Sequence, residues 1–144
     1  MNVRKILSKQ NAALVLIAFM LVILVACGSA AQSPGSAAGG AAQDIGQGSV
    51  AFRFEVTDDT ETVNVWNVHT DETTVGAALV EVDLISGDVS DFGLMVREVN
   101  GLVADFDANQ AWWAFYIDGE MAMEGVDTTE IEPEKVYAFV YTIG

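Results

Sequence analysis
Alternation marks the start of the folded part of this chain. Val50, Phe52, Phe54 and Val56 take turns with Ala51, Arg53, Glu55 and Thr57, the period-two pattern of a strand half buried against a core. Asp58-Asp59-Thr60 reads as a turn, and Thr62 to His69 as a second strand rich in Val and Trp. Its apolar phase changes between Val65 and Trp66, which predicts a bulge or a change of buried face. The two strands are near enough in sequence to pair as a hairpin.

The period then lengthens. Val75, Ala78, Leu79 and Val82 follow the i, i+3, i+4, i+7 spacing of a helix with one apolar stripe. Thr73 or Thr74 can cap it, Asp71 and Glu72 sit well near its positive end, and Ser86-Gly87 is expected to end it. Leu94 to Val99 reads as extended, and Asn100-Gly101 as a hairpin turn into Leu102-Val103. Trp112 to Ile117 is a strand, Asp118-Gly119 a tight turn before Glu120 to Met123, and Glu124-Gly125 breaks that arm. Pro133-Glu134-Lys135 turns the chain into Val136 to Thr142, which is apolar on both faces and so belongs inside a sheet. The order predicts an α+β, β-grasp-like fold: one helix packed on a mixed β-sheet with hairpins. The last strand is expected to run parallel to the first.

The N-terminal 26 residues follow another logic. Arg4, Lys5 and Lys9 precede an uncharged apolar run from Ala12 to Ala26. At about 15 residues the run is shorter than the roughly 20 needed to cross a bilayer, and a basic start, a short apolar run and small residues mark a secretory signal peptide. Its end, Leu24-Val25-Ala26-Cys27, resembles the lipobox of bacterial lipoproteins. The resemblance implies a diacylglycerol on Cys27, cleavage before it, and a place on the extracytoplasmic side of the cell membrane. Two or three acyl chains, at about 0.8 kcal/mol per buried CH₂, anchor firmly. Residues 27–48 then form a linker of mostly Gly, Ala, Ser and Gln, expected to be flexible with a reach of ~25 Å. The folded domain is expected over residues 49–144.

Charge narrows the partners. The chain has 6 basic and 21 acidic residues. Arg4, Lys5 and Lys9 lie in the signal and every acid lies after Cys27. Three bases against 21 acids leave −18, which repels nucleic acid. Cys27 is the only cysteine, so the domain has neither a disulfide nor a thiolate metal cluster and must be held by its core.

Three stretches carry a second resemblance. Thr74-Val75-Gly76-Ala77-Ala78-Leu79 opens the helix, Val99-Asn100-Gly101 sits mid-domain, and Trp112 to Glu120 precedes Glu124-Gly125-Val126. Together they resemble the transcobalamin-like C-terminal domain family, whose members occur on bacterial surface lipoproteins and as the last domain of animal cobalamin carriers. The resemblance implies cobalamin or a related corrinoid as ligand. In the carriers a helical barrel completes the site; this chain lacks that barrel. Asp127-Thr128-Thr129 and Pro133-Glu134-Lys135 depart from the family's Tyr and its acidic turn.

Candidate ligand-binding residues follow from the aromatic groups. Trp112 and Trp113 must point to opposite faces of a strand, so one can fill the core while the other needs cover or a partner. The pattern leaves open which. With Trp66 and Tyr116, the outward tryptophan is a candidate platform, and the Asp118-Gly119 turn a candidate contact at an exposed tip. Asp105-Phe106-Asp107-Ala108-Asn109 begins like a calcium loop, but Gln110 replaces its glycine and Tyr116 its bidentate Glu, so no metal is assigned. His69 has no evident partner for acid–base work, and no nucleophile with a base or phosphate-binding loop is present. The expectation is a non-catalytic binding module that needs no cofactor. It either captures a small molecule such as cobalamin for uptake or docks as an accessory protein on a membrane or cell-surface complex.

Overall fold
The computed structural model describes residues 40–144; the signal segment and Cys27 lie outside them. The elements are β1 (Gln43–Gly46), β2 (Val50–Thr57), β3 (Val63–Thr70), α1 (Val75–Glu81), β4 (Ile85–Ser90), β5 (Gly93–Val99), β6 (Leu102–Val103), α2 (Phe106–Asn109), β7 (Ala111–Ile117), β8 (Glu120–Met121) and β9 (Val136–Ile143). Six strands form one sheet in the order β1-β3-β2-β9-β7-β8, and β4-β5-β6 form a second. β2 is antiparallel to β3 and parallel to β9, and β9 is antiparallel to β7. The fold is α+β and dominated by sheet. None of the described helices is long and apolar enough to cross a membrane.

One face of the large sheet makes the core. Phe52, Phe54 and Val56 from β2, Trp66 and Val68 from β3, Trp113 from β7, and Tyr137 and Phe139 from β9 are buried together with the α1 stripe Val75, Ala78 and Leu79. Aromatic rings meet edge to face, as Phe52 and Tyr137 do at 5.4 Å, the arrangement that π quadrupoles favour. Burial pushes the Tyr137 phenol above its ordinary pKa. Its oxygen accepts from the Glu132 N–H at 2.8 Å and donates to the Glu130 carbonyl at 3.2 Å.

Helix α1 starts where Thr74 Oγ1 accepts from the Ala77 N–H at 3.3 Å. The two preceding donors also find partners: Val75 N–H donates to the Thr129 carbonyl and Gly76 N–H to the Val126 carbonyl. The first orphan N–H groups of this short helix are thus taken up by a crossing segment.

Several expectations need correction. The β2–β3 register runs unbroken from Val50↔Thr70 to Thr57↔Val63, so no bulge lies at Val65. Val65 and Trp66 are both buried, on opposite faces. The helix stops at Glu81 rather than at Ser86-Gly87, because Asp83 turns left-handed at φ 56°; Ser86-Gly87 lies within β4, at an irregularity opposite Glu98 and Val96. The segment that begins like a calcium loop is a helical turn, Phe106–Asn109, capped by Asp105, whose Oδ1 accepts from the Asp107 and Ala108 N–H groups. The arm after the Asp118-Gly119 turn pairs only through Met121.

The expected linker also loses its last part. Gln43–Gly46 pairs parallel with β3, from Gln43↔Trp66 to Gly46↔His69, and Ile45 packs against the core. An open strand edge offers unpaired N–H and C=O groups to any nearby backbone, and one apolar side chain then suffices to seat a polar segment.

Candidate functional site
Strand β7 carries most of the candidate residues, and its two faces separate them. Trp113 faces the core, with its ring 5.3 Å from Tyr141 and its Nε1 donating to the Leu102 carbonyl at 3.2 Å. Trp112 faces the other way, is 38% exposed and leans on Phe106 with centroids 6.2 Å apart. Tyr116 shares the Trp112 face, opposite Ala138. Trp66 lies in the core beside Phe54, so the four aromatics do not form one platform.

The Asp118-Gly119 turn sits roughly 20 Å along the strand from Trp112, at ~3.3 Å per residue. Asp118 and Gly119 have φ of 51° and 81°, the left-handed pair that a two-residue hairpin turn needs. Asp118 Oδ1 accepts from Val136 N–H, while its own N–H donates to the Val136 carbonyl. The turn therefore ties β7 to β9.

The structure instead gathers Trp112 with residues from three other segments. Phe106 from α2, Leu94 and Met95 from β5, and Val126 surround a cleft of about 460 Å³, and Trp113, Phe115 and Phe139 also line it from the core side. Met95 and Phe106 are each 56% exposed. Along this cleft β7 has an open edge. β8 pairs only with Tyr116 and Ile117, and the Ala122 N–H adds one bond to the Phe115 carbonyl. Strand parity puts the Trp113 N–H and C=O on the same side as that carbonyl. Among the described residues no strand pairs with β7 at Trp113 on that side.

The arrangement suits noncovalent binding: apolar walls, aromatic faces and a few main-chain polar groups. Sequence reasoning missed Phe106, Leu94 and Met95. The signal at Phe106 was an apolar residue between two acids, but nothing local brings β5 beside β7.

His69 Nε2 lies 3.3 Å from Asp44 Oδ1. The Asn67 amide and then His69 hold the Asp44 carboxyl below its usual range. Among the described residues, no three His, Cys, Asp or Glu side chains are placed to hold a metal ion.

Comparison with known proteins places the chain among related folds. A family described as a domain of unknown function (DUF4430) matches residues 72–142. A protein from Ruminococcus gnavus, described only provisionally as metal binding, superposes with a TM-score of 0.63 at 25% identity, over 67% of this chain and 99% of that one. Haptocorrin in complex with Cbi superposes with a TM-score of 0.53 at 14% identity, over 65% of this chain and 25% of that chain. The second likeness shows a shared fold. No curated protein matches the chain.

Proposed function
We propose that this chain is a lipid-anchored, extracytoplasmic, non-catalytic binding module that seats a small molecule in the Trp112 cleft and passes it to an uptake system. One observation carries the reading: an aromatic-lined concavity of about 460 Å³ opens on a strongly acidic protein. Its size falls within the ~300–1,000 Å³ of ligand pockets. Support comes from the fold shared with part of haptocorrin in complex with Cbi, and from the order of hairpin, helix and returning parallel strand. Cobalamin or a related corrinoid is the ligand that the transcobalamin-like resemblance suggests. A cleft this open covers one side of such a ligand, so a partner domain or second copy would complete the enclosure.

The test is a titration of the full chain with cobalamin and cobinamide, followed by calorimetry and the corrinoid absorption spectrum. Saturable binding at micromolar concentration, lost in Trp112→Ala, is expected. No binding to either at high micromolar concentration would overturn the corrinoid assignment. For the anchor, Cys27→Ser is expected to move the chain out of the membrane fraction; retention there would remove the lipid from the reading.

The open edge of β7 favours a second reading, an accessory protein docking on a membrane or cell-surface complex. A partner strand could satisfy Trp113 N–H and C=O, as strand addition does elsewhere. A corrinoid-negative result with Trp113 amide exchange slowed by a membrane extract would select it.

A further inference from the structure
A second concavity lies between α1 and the β4–β5 hairpin, with a volume of about 480 Å³. Ala77, Val80, Ile85, Val89 and Leu94 give it apolar walls, and the carboxylates of Asp83 and Asp127 lie among its lining residues. Val80 and Val89 are 46% and 85% exposed. It shares Leu94 with the Trp112 cleft but none of that cleft's aromatic residues.

The placement of Asp127 is unusual. A Cβ built on Gly93 would stand 2.7 Å from Asp127 Oδ2, and one on Gly125 would stand 2.7 Å from Oδ1. The carboxylate is thus seated against two glycines, a close approach that only a missing side chain permits. Its backbone is held at the other end by Gly76 of α1. Yet among the described residues the Asp127 carboxylate has neither a hydrogen bond nor an ion pair. Asp83 is likewise unpaired, and no basic side chain lines the groove.

We propose that this groove binds a small organic cation with an apolar body, an alkyl- or arylammonium. The apolar walls take the body, and Asp127, half-buried and held in position, takes the ammonium. Asp83 adds a second negative charge at the same groove. A half-buried carboxylate beside apolar walls attracts a cation more strongly than a fully solvated one, because water screens it less. The protein's overall negative field raises the local concentration of cations. An anion of the same shape meets repulsion from both carboxylates, so the groove selects by sign of charge. The groove shares only the wall residue Leu94 with the Trp112 cleft, and its carboxylates, Asp83 and Asp127, do not line that cleft.

The test uses the full chain in a nonionic detergent, with methyl NMR spectra of Ala77, Val80 and Val89 as the readout. The probes are benzylammonium, benzyl alcohol and benzoate. Benzylammonium is expected to shift these methyls saturably. Benzyl alcohol should bind about tenfold more weakly, near 1.4 kcal/mol, and benzoate should leave the methyls unmoved. Asp127→Asn should weaken benzylammonium about tenfold while leaving benzyl alcohol unchanged, which also reports that the groove is still folded. Val80→Lys, on an exposed helix position, should block benzylammonium by placing a tethered ammonium in the groove. The proposal is overturned if benzoate matches benzylammonium, if Asp127→Asn and Asp83→Asn both leave benzylammonium binding unchanged, or if no probe moves the methyls at high millimolar concentration.

Discussion

Gly76 and Asp127 touch backbone to backbone: a Cβ built on Gly76 would stand 2.7 Å from the Asp127 Cα. The Gly76 N–H donates to the carbonyl of Val126, one residue earlier, at 2.8 Å. The contact binds helix α1 to the segment that follows β8, and it sets where the Asp127 carboxylate stands.

The sign of Gly76→Ala tests this contact. In an open helix the change stabilises by up to about 1 kcal/mol. Here the added methyl group must push back a backbone, and overpacking of that kind costs on the order of 1–3 kcal/mol. Urea unfolding should show a lower midpoint at an unchanged slope. A higher midpoint would mean that residues 125–129 yield freely.

The adjacent tryptophans should separate in the same measurement. Trp113→Ala removes a buried ring together with its bond to Leu102, and is expected to cost about 3–5 kcal/mol. Trp112→Ala removes a partly exposed ring and should cost roughly 1 kcal/mol or less. Equal losses would contradict the assignment of faces.

Strand β1 predicts where the domain begins. A chain cut before Ser49 loses the Ile45 contact and re-exposes the edge of β3. It should be less stable by about 1–2 kcal/mol than a chain cut before Gly40. Equal unfolding midpoints would show that β1 contributes nothing.

Tyr137 predicts an alkaline limit. Its folded-state pKa is raised, chiefly by burial, above the value of about 10 for a free phenol. The protonated phenol therefore contributes its full stability below pH ~10. That contribution is lost as pH rises from there through the folded pKa. Tyr137→Phe gives up the bonds to Glu130 and Glu132 and should cost on the order of 1–2 kcal/mol near neutrality. Its stability should fall less steeply at alkaline pH, as thermal unfolding across that range would show. Parallel profiles for the two proteins would exclude Tyr137 as the cause.

Much of the fold was legible because its signals are local. The alternation of β2 needs no partner to be read, and Phe52, Phe54 and Val56 are buried as that alternation requires. The stripe Val75, Ala78 and Leu79 is fully buried. The Asp118-Gly119 turn closes the pair Ile117↔Glu120, because those two residue types tolerate left-handed backbone. Val136–Ile143 lies inside the sheet, consistent with apolar groups on both of its faces.

The candidate site was less legible. Leu94 and Met95 signal only a strand, and Phe106 only a turn. Their cleft exists because β5 and α2 meet the open edge of β7, and no periodicity encodes that meeting. The same holds for Asp127: its sequence neighbours Gly125 and Thr128 suggest a loop, while Gly93 and Gly76, far away in the chain, position its carboxylate.

Strand, helix and turn types follow from short-range sterics and from the spacing of apolar groups, so residues 50–57, 75–79 and 118–119 carried their structure in plain view. Alternation could say that Trp112 and Trp113 point oppositely, and no more. The buried ring had to be chosen by packing, because a face becomes a core only when a second layer covers it. Here that layer comes from the segment between Val75 and Ala104. Strand β1 was hidden for a related reason: a polar stretch gains order when an open edge is presented to its backbone, and backbone donors and acceptors are the same in every residue except proline.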